Sequence, residues 1–422
     1  MLVLFFVIAA CETGVRDEIM TEDALTKRTL RILLMTNHSE IKNMRLYEKI
    51  RQFDEERWDV DVEFVIPPGT LTYGFSPWLL GRGKGDGPDL IELTTNQMRM
   101  ASYHGKLESL PLDGSRLQNL AVALPEGDIV GLKVNINPLI VYYNKDTFSQ
   151  LGLEPPSVEW DWDMLDNTIT ALRAADKNVH IVLTLATLEW LTMSRYGGRI
   201  VDQSGTVFSG YMNGEAAVEA AEWMKWVGTK DDRGIPNKLI EGNVALAIDY
   251  AFKHAATIGH VEAFIRSNDR IGIAPLPGGS DVVNVAFTSG LAMPKDSANK
   301  DLAMELLRYL TQDTDAFYEE ILWYTLQSQH SKKEEIHDPY RISVLTQEMK
   351  RSVPVSTYLH AYISSKGGRL FYDWIHRDMM NGQSVQKTLD QAAQRMDTVY
   401  ETFKQDLELY ERCLQNFGSL CH

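Results

Sequence analysis

Apolar positions switch between two periods along the chain, and the switches mark out its elements. Thr29 to Met35 (TLRILLM) is a β-rich apolar run. Met44, Tyr47, Ile50 and Phe53 then recur at three-residue spacing, which predicts an amphipathic helix. Val60 to Val65 (VDVEFV) alternates and predicts a second strand, so the fold opens as a βαβ unit. Asp89 to Leu93 (DLIEL) and Leu139 to Tyr143 (LIVYY) read as further strands. Asp161 is placed to cap a helix carrying Leu165, Ile169 and Leu172. Between Gly214 and Val227 the residues Ala217, Ala220, Ala221, Met224 and Val227 keep helical spacing. Val244 to Ile248 and Ile271 to Ala274 return to strand, and Pro275 to Gly279 (PLPGG) forms a rigid turn. Asp301 to Leu310 is helical, and Val385, Leu389, Ala392, Met396, Val399 and Phe403 carry a last helical period. Strands alternating with helices argue for an α/β architecture with mostly parallel sheets.

Length changes this picture, because 422 residues exceed the roughly 250 to 300 at which a single core stops growing. Two lobes are expected. The 58 acidic against 42 basic residues, net −16, contain no long basic run, which excludes the electrostatic footprint of a nucleic-acid binder.

Leu2 to Ala10 is unbroken apolar and ends in Ile8-Ala9-Ala10-Cys11. This resembles the lipobox of bacterial lipoproteins and implies cleavage ahead of Cys11 and lipidation of its sulfur. The alternative is a buried apolar N-terminus, since no Lys or Arg precedes the run. The run is far short of the roughly 20 residues that span a bilayer. Glu12 to about Arg28 is polar and aperiodic, as in a flexible tether. Cys413 and Cys421 either form a disulfide or remain two thiols.

Catalytic signatures are missing from the sequence: it has no Gly-x-Ser-x-Gly, His-Glu-x-x-His, phosphate-binding loop or dinucleotide fingerprint. Glu159, Asp161 and Asp163 follow Pro155-Pro156 and read as helix-capping acids rather than a carboxylate pair. Tyr142 and Tyr143 are adjacent in a strand and so face opposite sides, which argues against a phenolate metal site. No enzyme activity, metal or cofactor is expected.

Five landmarks occur in order: Gly87-Pro88-Asp89-Leu90-Ile91 before Gly105-Lys106-Leu107; Tyr142 to Asp146 (YYNKD); Tyr196-Gly197-Gly198; Glu241 to Leu246 (EGNVAL); and Thr288 to Ala292 (TSGLA) with Asn299 to Tyr309. From about Thr29 to Phe403 the chain resembles the extracellular solute-binding proteins of family 1, the maltose and oligosaccharide receptors of ABC importers. The resemblance implies a two-lobed periplasmic-binding-protein-like fold (type II) with the ligand cleft between the lobes. It implies a signal and tether over 1–28, lobe 1 over 29–137 plus 288–340, and lobe 2 over 138–287 plus 341–422. Chain crossings fall near Ile136 to Leu139 and Asn284 to Thr288.

Ligands of open α/β sheets bind beyond the carboxyl ends of strands. That rule selects Asn37 and His38 after the first strand, Thr94, Thr95 and Asn96 after DLIEL, and Asp249, Tyr250 and Phe252 after Val244 to Ile248. Flat aromatic faces suit a pyranose. Trp78 is an aromatic candidate, and Trp190 and Tyr358 stand where the resemblance places ligand-contacting segments; core packing is the alternative for each. Phe252 departs from the tryptophan common in the family. The resemblance further implies a monomer held outside the cell membrane by lipid, binding a small sugar, with permease subunits and a separate ATPase as partners. A ligand-sensing or adhesive lipoprotein of the same fold, or a receptor for a non-sugar solute, is the alternative.

Overall fold

The computed structural model describes residues 27–34, 45–65, 87–103, 105–124, 127–227, 235–251, 270–279, 282–318, 321, 339–356 and 377–417. The fold opens with β1 (Arg28–Leu33), α1 (Arg45–Glu55), β2 (Val60–Val65), β3 (Leu90–Thr94) and α2 (Thr95–Tyr103). A short turn α3 (Gly114–Leu117), then β4 (Ala121–Ala123) and β5 (Ile129–Asn137), complete the first pass. The chain then builds β6 (Leu139–Asn144), α4 (Lys145–Leu151), α5 (Trp162–Ala174), β7 (Asn178–Ile181), α6 (Leu185–Ser194), α7 (Glu215–Val227), α8 (Ile235–Ile240), β8 (Val244–Tyr250) and β9 (Ile271–Ala274). It returns through β10 (Asn284–Ala292) and α9 (Lys300–Leu310), and ends with α10 (Pro339–Lys350), β11 (Ser352–Pro354), α11 (Arg377–Met380) and α12 (Val385–Phe417).

Two sheets result. One runs β2-β1-β3-β10-β5-β4, with β11 also paired to β10, and the other runs β7-β8-β6-β9. β1 pairs in parallel with β2 and β3, as the βαβ opening requires, whereas β10 lies antiparallel to β3 and β5. Periodicity explains the helices that cover the sheets. In α1 the residues Leu46, Ile50 and Phe53 meet Leu302, Leu306 and Leu310 of α9 over one face of the first sheet. α5, α6 and α7 close the second sheet, joined by Val385, Leu389, Ala392, Ala393 and Met396 at the start of α12. Asp161 caps α5, its Oδ1 accepting the Met164 N–H at 2.8 Å.

The sequence leaves α6 unread, and the structure gives the reason. Leu185 to Thr192 are all buried, so the helix is enclosed on every side and has no polar face to reveal a 3.6-residue period.

The sheets meet where the chain crosses between them. β5 and β6 are separated only by Pro138 yet belong to different sheets. β10 pairs with β11 over Asn284 to Ala286 and with β5 from Phe287 onward. A polar clasp fastens the crossings. Asn284 pairs with the Leu139 backbone, its Oδ1 accepting the N–H at 3.1 Å and its Nδ2 donating to the carbonyl at 2.7 Å. Glu348 of α10 accepts Asn284 Nδ2 at 2.6 Å, the Leu276 N–H at 3.0 Å and Arg351 Nε at 2.8 Å, with Arg351 Nη2 also bound. Arg351 reaches on to the carbonyls of Gly279 and Leu276. Backbone from the β5–β6 crossing and the β9–β10 connection is thus tied to one buried ion pair.

Candidate functional site

α2 begins directly after β3, and Thr94 starts the turn with its N–H and Oγ1 on Gln97 Oε1, at 2.8 and 3.1 Å. Thr95 is buried and shares a 2.5 Å hydrogen bond with Thr288 of β10. Asn96 is also buried, and its Oδ1 has no hydrogen-bond partner among the described residues. Tyr250, at the end of β8, packs its ring on Phe287 with centroids 4.8 Å apart, and its hydroxyl shares a 2.9 Å hydrogen bond with Thr184. Thr184 in turn caps α6. Residues expected from opposite lobes are therefore brought to adjacent positions of one crossing strand, Thr95 to Thr288 and Tyr250 to Phe287.

Asp249 faces away from Tyr250, as strand alternation requires. Its Oδ2 lies 3.9 Å from Nε2 of His180 on β7, both side chains being buried in the second sheet. Trp190 is 0% exposed and sits in the core of α6 against Trp162, with ring centroids 5.3 Å apart. The structure gives it a packing position with no surface open to a ligand. Asn37, His38, Trp78, Phe252, Tyr358 and Cys11 lie outside the described residues.

A cavity of about 370 Å³ opens between the two sheets' helices. Arg99 of α2, Ala123 and Leu124 line it from the first lobe; Glu189 and Met193 of α6 and residues 199–203 line it from the second; Val353, Pro354 and Ser356 close it at the last crossing. The volume falls within the roughly 300 to 1,000 Å³ usual for small-molecule sites.

Its electrostatics differ from those of the surface. Glu189 is 1% exposed, and both its oxygens accept the Ser356 N–H, each at 3.0 Å. Burial pushes its carboxyl up to about 7, against the pull of the Ser356 hydrogen bonds and the Arg99 charge. Asp202 folds its own loop: Oδ1 accepts the N–H groups of Thr206 and Val207, both at 2.9 Å, and Oδ2 accepts the N–H and the hydroxyl of Ser204. Burial works to raise its carboxyl, but these hydrogen bonds outweigh it and hold the group below its ordinary value. Behind Arg99, Lys133 of β5 is buried and donates to Asn119 Oδ1 at 2.8 Å. Burial first, and then the Arg99 charge, push its ammonium down to about 7. Arg199 is exposed and forms no ion pair or side-chain hydrogen bond among the described residues.

Arg99, Glu189, Arg199 and Asp202 were not among the residues expected from the sequence. Glu189 left a trace, a single charge inside the apolar stretch Leu185 to Leu191, whereas the arginines sit in polar stretches that single out neither.

Residues 47–316 match the family described as bacterial extracellular solute-binding protein. The chain belongs to that family. Among curated relatives, binding proteins of Brucella abortus (strain 2308) and Brucella suis biovar 1 (strain 1330) are each 24% identical over 208 residues, 46% of this chain. The match spans about half the length of these relatives, 49%. Solved solute-binding proteins share the fold across nearly the whole chain. The sugar-binding protein MalE of Xanthomonas citri aligns with a TM-score of 0.67 at 15% identity, covering 90% of this chain and 99% of its own. The GacH receptor of Streptomyces glaucescens, solved unliganded and with acarbose, gives 0.61 at 18% identity over 88% and 98%. UgpB of Mycobacterium tuberculosis, solved with glycerophosphocholine, gives 0.63 at 17% over 89% and 99%. The two-lobed periplasmic-binding-protein-like fold expected from the sequence is the fold observed, and the family and these neighbours are binding proteins.

Proposed function

We propose that this protein is the extracellular receptor of an ABC importer, capturing a carbohydrate between its lobes and handing it to membrane permeases powered by a separate ATPase. The observation that carries the reading is the interlobe cavity, which draws its lining from both lobes and from a chain crossing. A ligand there contacts both lobes at once, so it favours the closed arrangement over the open one by the contacts that only closure completes. The likeness to MalE, described as a sugar-binding protein, and to GacH, solved with acarbose, supports carbohydrate as the solute class. In this reading the protein catalyses no reaction, works as a monomer and is held at the outer face of the cell membrane through lipid on Cys11. Thr94, Thr95, Asn96, Asp249 and Tyr250, at the ends of β3 and β8, are part of the proposed contact set. Asn37, His38, Trp78, Phe252 and Tyr358 complete the proposed set, and Trp190 supports α6 from behind.

The test is a thermal-shift and calorimetric screen of the protein without residues 1–28 against mono- and oligosaccharides, amino acids, polyamines and metal ions. A ligand at a hundred times its Kd stabilises the native state by about 2.7 kcal/mol. Stabilisation by sugars without their turnover is expected. Stabilisation by amino acids or metals alone would refute the carbohydrate assignment.

A further inference from the structure

α12 runs on past the lobe that it helps to close. Its core contacts begin at Val385 and, among the described residues, end at Tyr400. Its polar ties to that lobe lie on the same half. Gln386 donates to the Asn213 carbonyl at 3.0 Å, Asn213 to Asp390 at 2.8 Å, and the Phe208 N–H to Asp397 at 2.7 Å. From Glu401 to Phe417 the helix rises about another 25 Å. There Thr402 donates to the Thr398 carbonyl, Lys404 pairs with Glu401 at 3.1 Å, and Arg412 donates to the Glu408 carbonyl, all within the helix. A helical stretch of that length is marginal in water unless one face of it is buried.

The sequence of this stretch carries such a face. Phe403, Leu407, Tyr410, Leu414 and Phe417 follow one another at steps of four, three, four and three residues. A seven-residue repeat of this kind makes the seam of a two-helix coiled coil. Glu401, Thr402, Gln405, Glu408 and Arg412 fall on the outer positions of the repeat, and all five are exposed. Lys404, Asp406 and Glu411 fall on the positions that flank the seam. These charges choose the orientation of a second helix. A parallel copy in register sets Asp406 against the partner's Glu411, on both sides of the seam. An antiparallel copy with Leu407 level with the partner's Tyr410 sets Lys404 beside the partner's Glu411 on both sides, and fills every layer from Phe403 to Leu414. In that register the partner's Phe417 comes level with Tyr400. Val207 and Tyr211 stand at that end, 44% and 41% exposed, in the turn that binds Asp397.

We propose that the distal half of α12 pairs antiparallel with the same helix of a second copy of this chain, seamed by Phe403, Leu407, Tyr410, Leu414 and Phe417 and oriented by Lys404 and Glu411. The proposal goes beyond the receptor reading and leaves it intact. Each cavity is built from a single chain, so one copy still captures solute by itself. Sedimentation equilibrium of the whole chain, from micromolar to near-millimolar concentration, tests the pairing. A mass that rises toward twice that of one chain is expected. Leu407→Glu is expected to hold the mass at one chain while leaving the thermal midpoint unchanged, since the substitution lies beyond the core contacts of α12. Glu411→Lys decides the orientation. Across an antiparallel seam it turns two attractions into two repulsions, and it is expected to weaken the dimer about tenfold at low salt, with Lys404→Glu in the same chain restoring it. In a parallel pair the same change relieves a repulsion and tightens the dimer, an outcome that overturns the proposal. A dimer that survives Leu407→Glu overturns it too, as does a mass that stays at one chain throughout. If the chain stays single and Leu407→Glu lowers the thermal midpoint, the stripe is covered by the chain's own residues instead.

Discussion

Glu348 offers the sharpest test of how the two lobes are joined. It is fully buried at the end of α10 and accepts from Leu276 and Asn284 of the β9–β10 connection and from Arg351 at the end of its own segment. Glu348→Ala leaves the Leu276 N–H and one Asn284 donor without a partner, each a desolvated group costing about 1 to 3 kcal/mol. It also leaves Arg351, whose side chain is only 10% exposed, without its counter-charge. Breaking one side of a buried ion pair costs about 3 to 5 kcal/mol, and this loss includes much of the donor penalty, so about 4 kcal/mol is expected in all. Glu348→Gln keeps the volume and one acceptor oxygen, and should cost roughly half as much. Urea unfolding followed by tryptophan fluorescence and circular dichroism gives both values. Asn284→Ala combined with Glu348→Ala should fall short of the sum of the single effects, because the two side chains share a hydrogen bond. A loss below about 1 kcal/mol for Glu348→Ala would refute the argument that this carboxylate fastens the crossings.

Three further outcomes follow from the site and the sheet. Glu189 holds its proton more tightly folded than unfolded, so its contribution to stability is full below about pH 4.5 and is lost as pH rises through about 7, by at most about 3 kcal/mol. Glu189→Gln should flatten the pH 4.5 to 7 segment of the urea-midpoint profile, and parallel profiles for both proteins would contradict the assignment. Lys133 is lowered instead, so its contribution is full above about pH 10.5 and is lost as pH falls through about 7; Lys133→Met should remove the rise in stability between pH 7 and 10. Gly290, midway along β10, should not tolerate alanine. An added Cβ would stand 2.3 Å from the Leu132 carbonyl oxygen and 2.9 Å from Lys133 Cα, both backbone, so Gly290→Ala is expected to cost about 1 to 3 kcal/mol or more in the same unfolding assay.

Elements with one buried face were legible from the chain. α1, α5, α7 and the start of α12 appear where their apolar spacing indicated, and β2 has the expected ends, because each buries one side and its pattern records which. α6 is enclosed all round and left no period, so the chain alone kept Trp190 open between ligand contact and core packing, and it is core. The strand-end rule selected Thr95, Asn96 and Tyr250 from chain order alone, and the structure places Thr95 beside Thr288 and Tyr250 beside Phe287, with none of the three in the cavity lining. Arg99, Glu189 and Ser356 meet only because α2, α6 and the last crossing converge, and that pairing across 167 residues between Glu189 and Ser356 has no local signal.

The place of β10 in the first sheet also fixes the order in which the molecule can be finished. β3 and β5 pair with β10 rather than with each other, so the sheet has a gap at its centre until Ala292 is available. At elongation rates of about 5 to 20 residues per second, the interval from Thr94 to Ala292 is roughly 10 to 40 s, long compared with helix and hairpin formation. The strands of the second sheet, Leu139 to Ala274, are all synthesised within that interval and need no strand from outside it. The inserted sheet is thus the first that can close on a growing chain, and the sheet that holds the N-terminal strand is the last.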